Sequence, residues 1–320
     1  MGFILVIILK EDEYTMKILV TGGAGFIGSN LVDKFISMGN DVCIIDNLST
    51  GNINNVNKKA RLYINDILDS NIANIFKKEE FDIVYHFAAQ IDVQKSIKDP
   101  MFDSKVNICG TINILKNCVD YGVKKIVYPS SAAVYGQPEY LPIDEKHRVK
   151  PISSYGLSKY TPEEYIRSFS ELYDLDFTIF RYANVYGIRQ DPKGEGGVVS
   201  IFMDRLFKNS PLCIFGDGKA LRDYIYVEDI VDANIAALCN GSRNLFNIGT
   251  GVYTSVRDLG QTMIDIMNVK SNIEYKAYRK GDIEKSYFNI EKAKAELKWK
   301  PKYNLQEGLI KTINYYKNNI

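Results

Sequence analysis

The sequence has little of what several function classes require. Only two histidines, His86 and His147, occur in 320 residues, and the five cysteines (Cys43, Cys109, Cys118, Cys213 and Cys239) are scattered, with no Cys-x-x-Cys pair. Zinc sites need a cluster of such ligands, so no metal site is expected. An odd, dispersed cysteine set fits reduced thiols and a cytoplasmic location better than a disulfide framework. An excess of charge of one sign is also missing, since 40 Lys+Arg against 39 Asp+Glu leaves +1 at pH 7. Nucleic acids and membrane surfaces are bound through a basic field, so neither is an expected partner. The apolar run at 3–9 is too short to span a bilayer. It lacks the basic start and small-residue cleavage site of a secretory signal. Val6 stands where a myristoylation signal carries Ser or Thr. Residues 1–15 therefore read as an N-terminal extension, with the folded chain beginning at Met16.

What is present points to a mixed α/β protein. Hydrophobic residues make up 46% and charged residues 25%, and the length suits about two domains or one large one. Such a chain can bury a sizeable core without disulfide or metal staples. Apolar runs at 17–21, 42–45, 83–87, 125–128, 177–180, 212–215 and 245–247 predict strands. Helical periodicity predicts helices at 26–38 and near 101–120, 156–173, 199–208, 228–239, 255–267, 290–297 and 305–317. Strand and helix alternate up to about residue 180, and the first strands are continuously apolar. That is the pattern of a parallel, doubly wound sheet covered on both faces. Beyond 181 the alternation loosens, as expected of a smaller substrate-shaping region.

Residues 22–28 read Gly-Gly-Ala-Gly-Phe-Ile-Gly, between the first strand and the first helix. Two spacings fit, Gly23-x-Gly25-x-x-Gly28 and Gly22-x-x-Gly25-x-x-Gly28. A glycine triplet alone is weak; the strand–turn–helix context gives it meaning. Glycine permits the tight turn and lets backbone N–H groups approach a pyrophosphate at the helix N-terminus. Asp46 follows at the end of the second strand, 18 residues past Gly28. A carboxylate there accepts from a ribose 2′-hydroxyl and repels a 2′-phosphate, which favours NAD over NADP.

Tyr-x-x-x-Lys occurs twice, as Tyr121/Lys125 and Tyr155/Lys159. The first pair straddles Gly122 between a helix end and a strand, so it reads as a surface tyrosine and a solvated lysine. The second opens a predicted helix, where i and i+4 share a face. It also follows Ser131, just past a strand's carboxyl end, where open α/β sheets bind ligands. A phenol has a pKa of about 10 and is a poor base near neutrality. Bringing it near 7 takes about 4 kcal/mol of preferential stabilisation of the phenolate. An ammonium one helical turn away, beside the nicotinamide cation, can supply much of this, and a serine hydroxyl can align the substrate.

Several segments together resemble the extended short-chain dehydrogenase/reductase superfamily, and within it the NAD-dependent nucleotide-sugar epimerases related to UDP-glucose 4-epimerase. They are 16–28, Asp46-Asn47-Leu48, Asp66-Ile67, His86-Phe87-Ala88-Ala89, Asn107 with Gly110-Thr111, 130–136 (Ser-Ser-Ala-Ala-Val-Tyr-Gly), 155–159, 181–187 (Arg-Tyr-Ala-Asn-Val-Tyr-Gly), Arg222-Asp223-Tyr224 and Arg279-Lys280-Gly281-Asp282. The resemblance covers nearly all of 16–320. It implies a Rossmann domain at 16–181, to which the chain returns near 223–250, and a smaller nucleotide-sugar domain from 182–222 and 251–320. Ser131, Tyr155 and Lys159 would be catalytic. NAD would touch Gly22, Gly25, Phe26, Ile27, Gly28, Asp46, Asn47, Phe87, Ala88, Ala89, Asn107, Tyr155, Lys159 and Tyr182, with Asp66 and Ile67 flanking the adenine. The sugar nucleotide would meet Ser131, Tyr155, Asn184, Val198, Arg222 and Arg279, with Asp282 near the uridine ribose. Guanidinium forks suit diphosphate oxygens. His86 reads as a structural hydrogen-bonding residue. The helices near 101–120 and 156–173 form a dimer-making bundle in relatives, which implies a homodimer.

Related dehydratases place Asp-Glu directly after the equivalent of Ser131, and related decarboxylases carry a glutamate at the position of Ala133. Here Ala132 and Ala133 cannot move a proton. What remains is the chemistry of a 4-epimerase, in which a UDP-sugar is oxidised transiently to a 4-keto sugar with bound NAD. UDP-glucose and UDP-galactose are the expected pair. Ser286, four past Asp282, would set the pocket width, and its small side chain leaves room for the N-acetyl group of UDP-N-acetylglucosamine or UDP-N-acetylgalactosamine. The sequence departs from the longer epimerases at 90–94, with Ile91 where they carry a lysine. The alternatives are another such enzyme, a UDP-glucuronate 4-epimerase, or a non-catalytic Rossmann dinucleotide sensor. A sensor would have no need of the trio Ser131, Tyr155 and Lys159.

Overall fold

The computed structural model describes residues 15–192, 197–278 and 282–318. Its main sheet uses β1 (Lys17–Thr21), β2 (Asp41–Asp46), β3 (Arg61–Ile64), β4 (Ile83–His86), β5 (Lys125–Ser131), β6 (Asp176–Tyr182) and β10 (Asn244–Ile248). All seven are parallel, in the order β10-β6-β5-β4-β1-β2-β3. Continuous apolarity in these strands reflects two buried faces. Ile18, Val20, Val42 and Ile44 point to one side, against Leu31, Val32 and Phe35 of α1 (Phe26–Ser37) and Ile230 of α8 (Val227–Ala236). Leu19, Cys43 and Ile45 point to the other, against Ile72 and Phe76 of α2 (Ile72–Glu79), Ile114 and Leu115 of α5 (Gly110–Asp120) and Ile166 of α6 (Ser154–Tyr173). Strand order reverses between β1 and β4, and ligands bind at the carboxyl ends beside such a switch point.

Several elements differ from the sequence-based expectation. The helix predicted near 101–120 is divided. After α3 (Val93–Lys98), α4 (Pro100–Ser104) passes through a widened π turn, Lys105–Cys109, into α5. The helix predicted at 290–297 is little more than a π turn, Ala293–Leu297. β3 and α2 were not predicted. β3 is a four-residue edge strand whose residues are half-buried or exposed, so it lacks the apolar run that identifies its neighbours. Ser131 proves to be the last residue of β5 rather than one just past it.

The second lobe is organised around β9 (Leu221–Tyr226). β7 (Asn184–Tyr186) pairs in parallel with its second half, while β11 (Tyr253–Ser255, antiparallel) and β13 (Lys285–Ser286, parallel) flank its first half. A second small sheet joins β8 (Leu212–Phe215) to β12 (Ile273–Lys276). Helices α7 (Val198–Phe207), α9 (Val256–Met267) and α10 (Leu305–Lys317) close over a core that includes Phe202, Leu206, Leu259, Met263 and Leu309. α10 starts with a capping box in which Asn304 and Glu307 each accept the other's backbone N–H. Asp223, buried in β9, accepts from Thr250 N–H and hydroxyl and from Gly251 N–H, tying this lobe to the chain leaving β10.

Candidate active site

Two cavities meet at the carboxyl ends of β1, β5 and β6. One is lined by Gly22, Gly25, Phe26, Ile27 and Gly28 and continues past Phe87 and Ala89 to Ser131, Tyr155 and Lys159. The other, of about 790 Å³, lies against the second lobe. Ser131, Tyr155, Tyr182 and Asn184 line both, so the serine and tyrosine stand where the two spaces join.

The glycine loop is built as a cradle. Gly22 has φ +70°, and a Cβ on it would meet Ala88 N at 2.7 Å. A Cβ on Gly28 would lie 2.3 Å from Gly22 O. Only glycine lets the turn and the helix start approach this closely. The first-turn N–H groups of α1 have no intrahelical acceptors, and no acidic residue occupies that turn, which suits an incoming diphosphate. Beyond the loop, a side cleft is lined by Asp46, Asn47, Asp66, Ile67, Phe87 and Ala88. The buried Asp46 carboxylate accepts from Ala24 N–H at 2.9 Å and Leu48 N–H at 2.8 Å. Each oxygen has a lone pair left for a ribose hydroxyl. Asn47 donates to Asp66 at 2.8 Å, which fixes the cleft's far wall. Ile67 can lie there because residue 110 is glycine; a Cβ would touch Ile67 Cδ1 at 2.5 Å. These residues fit NAD.

α6 begins at Ser154, capped by Ser153, whose Oγ accepts Gly156 N–H at 3.1 Å. Tyr155 N–H donates to Ser96 Oγ of α3 at 3.0 Å. Lys159 follows one turn later and is buried, with Nζ 4.5 Å from the centre of the Tyr128 ring. Burial pushes its ammonium down to about 7, against the opposing pull of the Glu163 and Asp103 carboxylates. One further turn along, Glu163 is fully buried. It accepts from Ser130 Oγ at 2.5 Å and takes both arms of Arg181, at 2.9 and 2.6 Å. The guanidinium lies 4.7 Å from the Tyr135 ring centre. This pair fastens α6 to the ends of β5 and β6, beside Ser131, whose Oγ accepts Ala133 N–H at 3.2 Å. Sequence reading missed Glu163 and Arg181 as a unit, although one is a further i+4 step past Lys159.

His86 is buried and bonded on both ring nitrogens, to Thr21 Oγ1 at 2.7 Å and Thr111 Oγ1 at 3.0 Å. Thr111 donates to Asn107 O, so it must accept from Nε2–H. Burial holds the imidazole down at about 3, which leaves it neutral and structural, as expected from the sequence. Asn107 lies behind the cleft wall and is not among the residues lining either cavity. It accepts Gln90 N–H and donates to Gln90 O and Ser158 Oγ. Burial inside the widened turn explains that displacement.

The larger cavity carries Asn184, Val198, Arg222, Asp282 and Ser286. Ser286 pairs in register with Arg222 across β13 and β9, which sets them side by side on one wall. Arg222 donates to Leu221 O at 2.9 Å and has further N–H groups to offer. Ser286 is buried. Ala132 and Ala133 also line this space, and neither can act as acid or base. Arg279 lies outside the described residues. Phe215, Tyr224 and Ile201 also line this space; the sequence placed Tyr224 in a motif but gave none of the three a role, and the Tyr224 hydroxyl is buried there without a hydrogen-bond partner. Among the described residues no His/Cys/Asp/Glu group is arranged to hold a metal ion. No described helix is long and apolar enough to cross a membrane.

Comparison with known proteins agrees with this arrangement. A family model described as GDP-mannose 4,6 dehydratase matches residues 19–312. A curated relative, a putative UDP-glucose 4-epimerase of Methanocaldococcus jannaschii, is 48% identical over 94% of this chain and 99% of its own length. Among solved structures, a UDP-glucose 4-epimerase with UDP-glucose from Thermotoga maritima is 44% identical, with a TM-score of 0.94 over 95% of this chain and 99% of that one. The Thermus thermophilus UDP-glucose 4-epimerase in complex with NAD is 36% identical, with a TM-score of 0.92 over 95% and 100%. Neighbours also include a UDP-N-acetylglucosamine 4-epimerase from Methanobrevibacter ruminantium (32%, TM-score 0.91, 96% and 99%). A UDP-glucuronic acid 4-epimerase from Bacillus cereus, solved with a fluorinated sugar nucleotide and NAD, is 28% identical, with a TM-score of 0.89 over 95% and 100%.

Proposed function

Because the chain belongs to this family, the NAD-dependent epimerase/dehydratase group of the extended short-chain dehydrogenases/reductases, we propose that it is a UDP-sugar 4-epimerase acting on UDP-glucose and UDP-galactose. The observation that carries the reading is the position of Ser131 and Tyr155 on the shared wall of two cavities, one shaped for NAD and one opening onto Arg222 and Ser286. NAD, held by the glycine loop and Asp46, would supply a reversible hydride acceptor for carbon 4 of the sugar. Tyr155 takes the proton from the 4-hydroxyl and gives it back. The buried Lys159 ammonium stabilises the phenolate in that exchange, since an opposite charge favours the ionised form. Ser131 aligns the hydroxyl being oxidised. Asn184, Arg222 and Arg279 hold the diphosphate, and Asp282 lies toward the uridine ribose. Ala132 and Ala133 argue against the dehydratase chemistry that gives the family its description.

Ser286 extends the proposal to UDP-N-acetylglucosamine and UDP-N-acetylgalactosamine, because a buried small side chain on that wall leaves space for an N-acetyl group. The N-acetylglucosamine epimerase among the structural neighbours supports this extension. UDP-glucuronate is the second reading, on the strength of the glucuronic acid epimerase of similar fold. Residues 182–222 and 251–320 form the nucleotide-sugar unit in this account. The exposed apolar side chains of Met101, Phe102, Leu157 and Leu172 favour a homodimer through α4 and α6, and a cytoplasmic enzyme is the location proposed.

The test is interconversion of UDP-galactose and UDP-glucose by purified protein without net consumption of added NAD. Stoichiometric loss of free NAD would refute the epimerase mechanism. Tyr155→Phe should lower turnover by about 10²–10⁴-fold while NAD stays bound; a dinucleotide sensor would lose nothing.

A further inference from the structure

Asp103, in α4, has no exposed surface. Its Oδ1 accepts from Gln90 Nε2 at 2.7 Å and Asn107 Nδ2 at 3.3 Å. Its Oδ2 is sealed from solvent without a hydrogen-bond partner. Both donors are neutral amides, and no ion pair to Asp103 is formed among the described residues. A buried carboxylate is costly unless a positive charge lies near it.

The neighbouring buried cation is Lys159. Four groups act on it: the Tyr128 ring from β5, His86 from β4, Asp103 from α4, and Glu163 from its own helix; Tyr155, one turn earlier, lines the same cavity. His86 is neutral, and Tyr128 gives its hydroxyl to Lys159 O at 3.3 Å. Glu163 exerts the larger pull on Lys159 but is shared with the two-armed Arg181. Asp103 has no such partner, and its field reaches Lys159. Asn107 links Asp103 to the turn of α6 that carries Lys159. Asn107 Nδ2 touches Asp103 Oδ1 and also donates to the Oγ of Ser158, the residue before Lys159, at 2.9 Å. Asn107 sits in the π turn, a distortion that often marks a functional position; here it sets Asn107 between α4 and α6.

We infer that Asp103 is the buried counter-charge of Lys159, keeping it an ammonium beneath Tyr155 without touching substrate or cofactor. Asp103 is thus a positioning residue. The inference deepens the epimerase proposal, because it rests on Lys159 belonging to the reacting site. It also gives the two unpaired buried charges a reason to coexist: each lowers the cost of the other.

The experiment is a carbon-13 NMR titration of lysine Cε in the NAD-loaded protein, with the Lys159 signal assigned by its loss in Lys159→Met. In the native chain Lys159 should titrate near 7. In Asp103→Asn the midpoint should fall by about one unit, a tenfold change in proton affinity, and the pH profile of kcat should move the same way with KM little changed. An unmoved midpoint overturns the inference. Should Asp103→Asn fail to fold, Asp103→Ser removes the same charge and the Lys159 midpoint should fall in the same way; an unmoved midpoint there overturns the inference equally. A native protein that titrates as expected but turns over no UDP-sugar would sink the epimerase reading and leave the Asp103–Lys159 relation standing.

Discussion

The two cavities of this molecule are built by different means. The NAD side works with backbone supplied by one short stretch: Gly22 to Gly28 are seven consecutive residues, and the acid that follows lies at the end of the adjacent strand. The cavity proposed for the sugar nucleotide is walled by side chains gathered from distant segments. Asn184, Val198, Arg222, Asp282 and Ser286 meet on one cavity only because β9 takes its partners from β7, β11 and β13. A local cradle is rigid and intolerant, because its neighbours are main-chain atoms that cannot yield. An assembled wall is tolerant and tunable, since each side chain can change without disturbing the rest.

The largest effect that would sharpen this contrast is expected at Gly28. In Gly28→Ala the new methyl meets the Gly22 carbonyl oxygen at 2.3 Å, so the helix start must shift. NAD affinity measured by fluorescence quenching should fall by about tenfold or more, with a stability loss of about 1–3 kcal/mol; wild-type NAD binding would break the distinction drawn here. A middle-sized effect is expected at Arg222→Leu, with KM for the UDP-sugar raised about tenfold or more, kcat less affected and NAD binding intact. Loss of NAD from that variant would show that the two halves are not separable. The smallest is Ser286→Tyr, which should remove activity on N-acetylated sugars and spare UDP-glucose. An unchanged preference in paired kinetic assays would remove Ser286 from the specificity argument.

pH supplies a check on the buried charges of the first half. Burial lowers the Lys159 ammonium from its ordinary range to about 7. The unfolded chain therefore binds a proton that the native state lacks between about 7 and 10, and this group makes the fold more stable as pH rises through that window. Below 7 both states carry the proton and the whole cost of burying it remains. Lys159→Met should accordingly raise the melting temperature at pH 6 while abolishing turnover.

Much of the first half was legible because its signals are local. The glycine loop, Asp46 and the Tyr155/Lys159 pair each occupy a fixed spacing beside a strand or helix that the apolar pattern identifies. The exceptions have physical reasons. β3 is an edge strand, half-exposed and short. The π turn at 105–109 keeps helical composition while moving Asn107 behind the wall. In the second half, β9 escaped notice because Arg222 and Asp223 interrupt its apolar character. Those two residues are charged for what they hold, one facing the cavity and the other buried against Thr250 and Gly251.

By itself, the order of residues determined the parallel architecture, the dinucleotide cradle and the trio of Ser131, Tyr155 and Lys159. Those follow from periodicity, backbone freedom at glycine and i+4 spacing, all properties of neighbours along the chain. Only the tertiary structure decided that Glu163 is matched by Arg181, that Asp103 is buried with one oxygen unpartnered, and that Arg222 and Ser286 share a wall. Charges buried together answer to distance through the protein interior, where water no longer screens them, and no pattern in the chain records that distance.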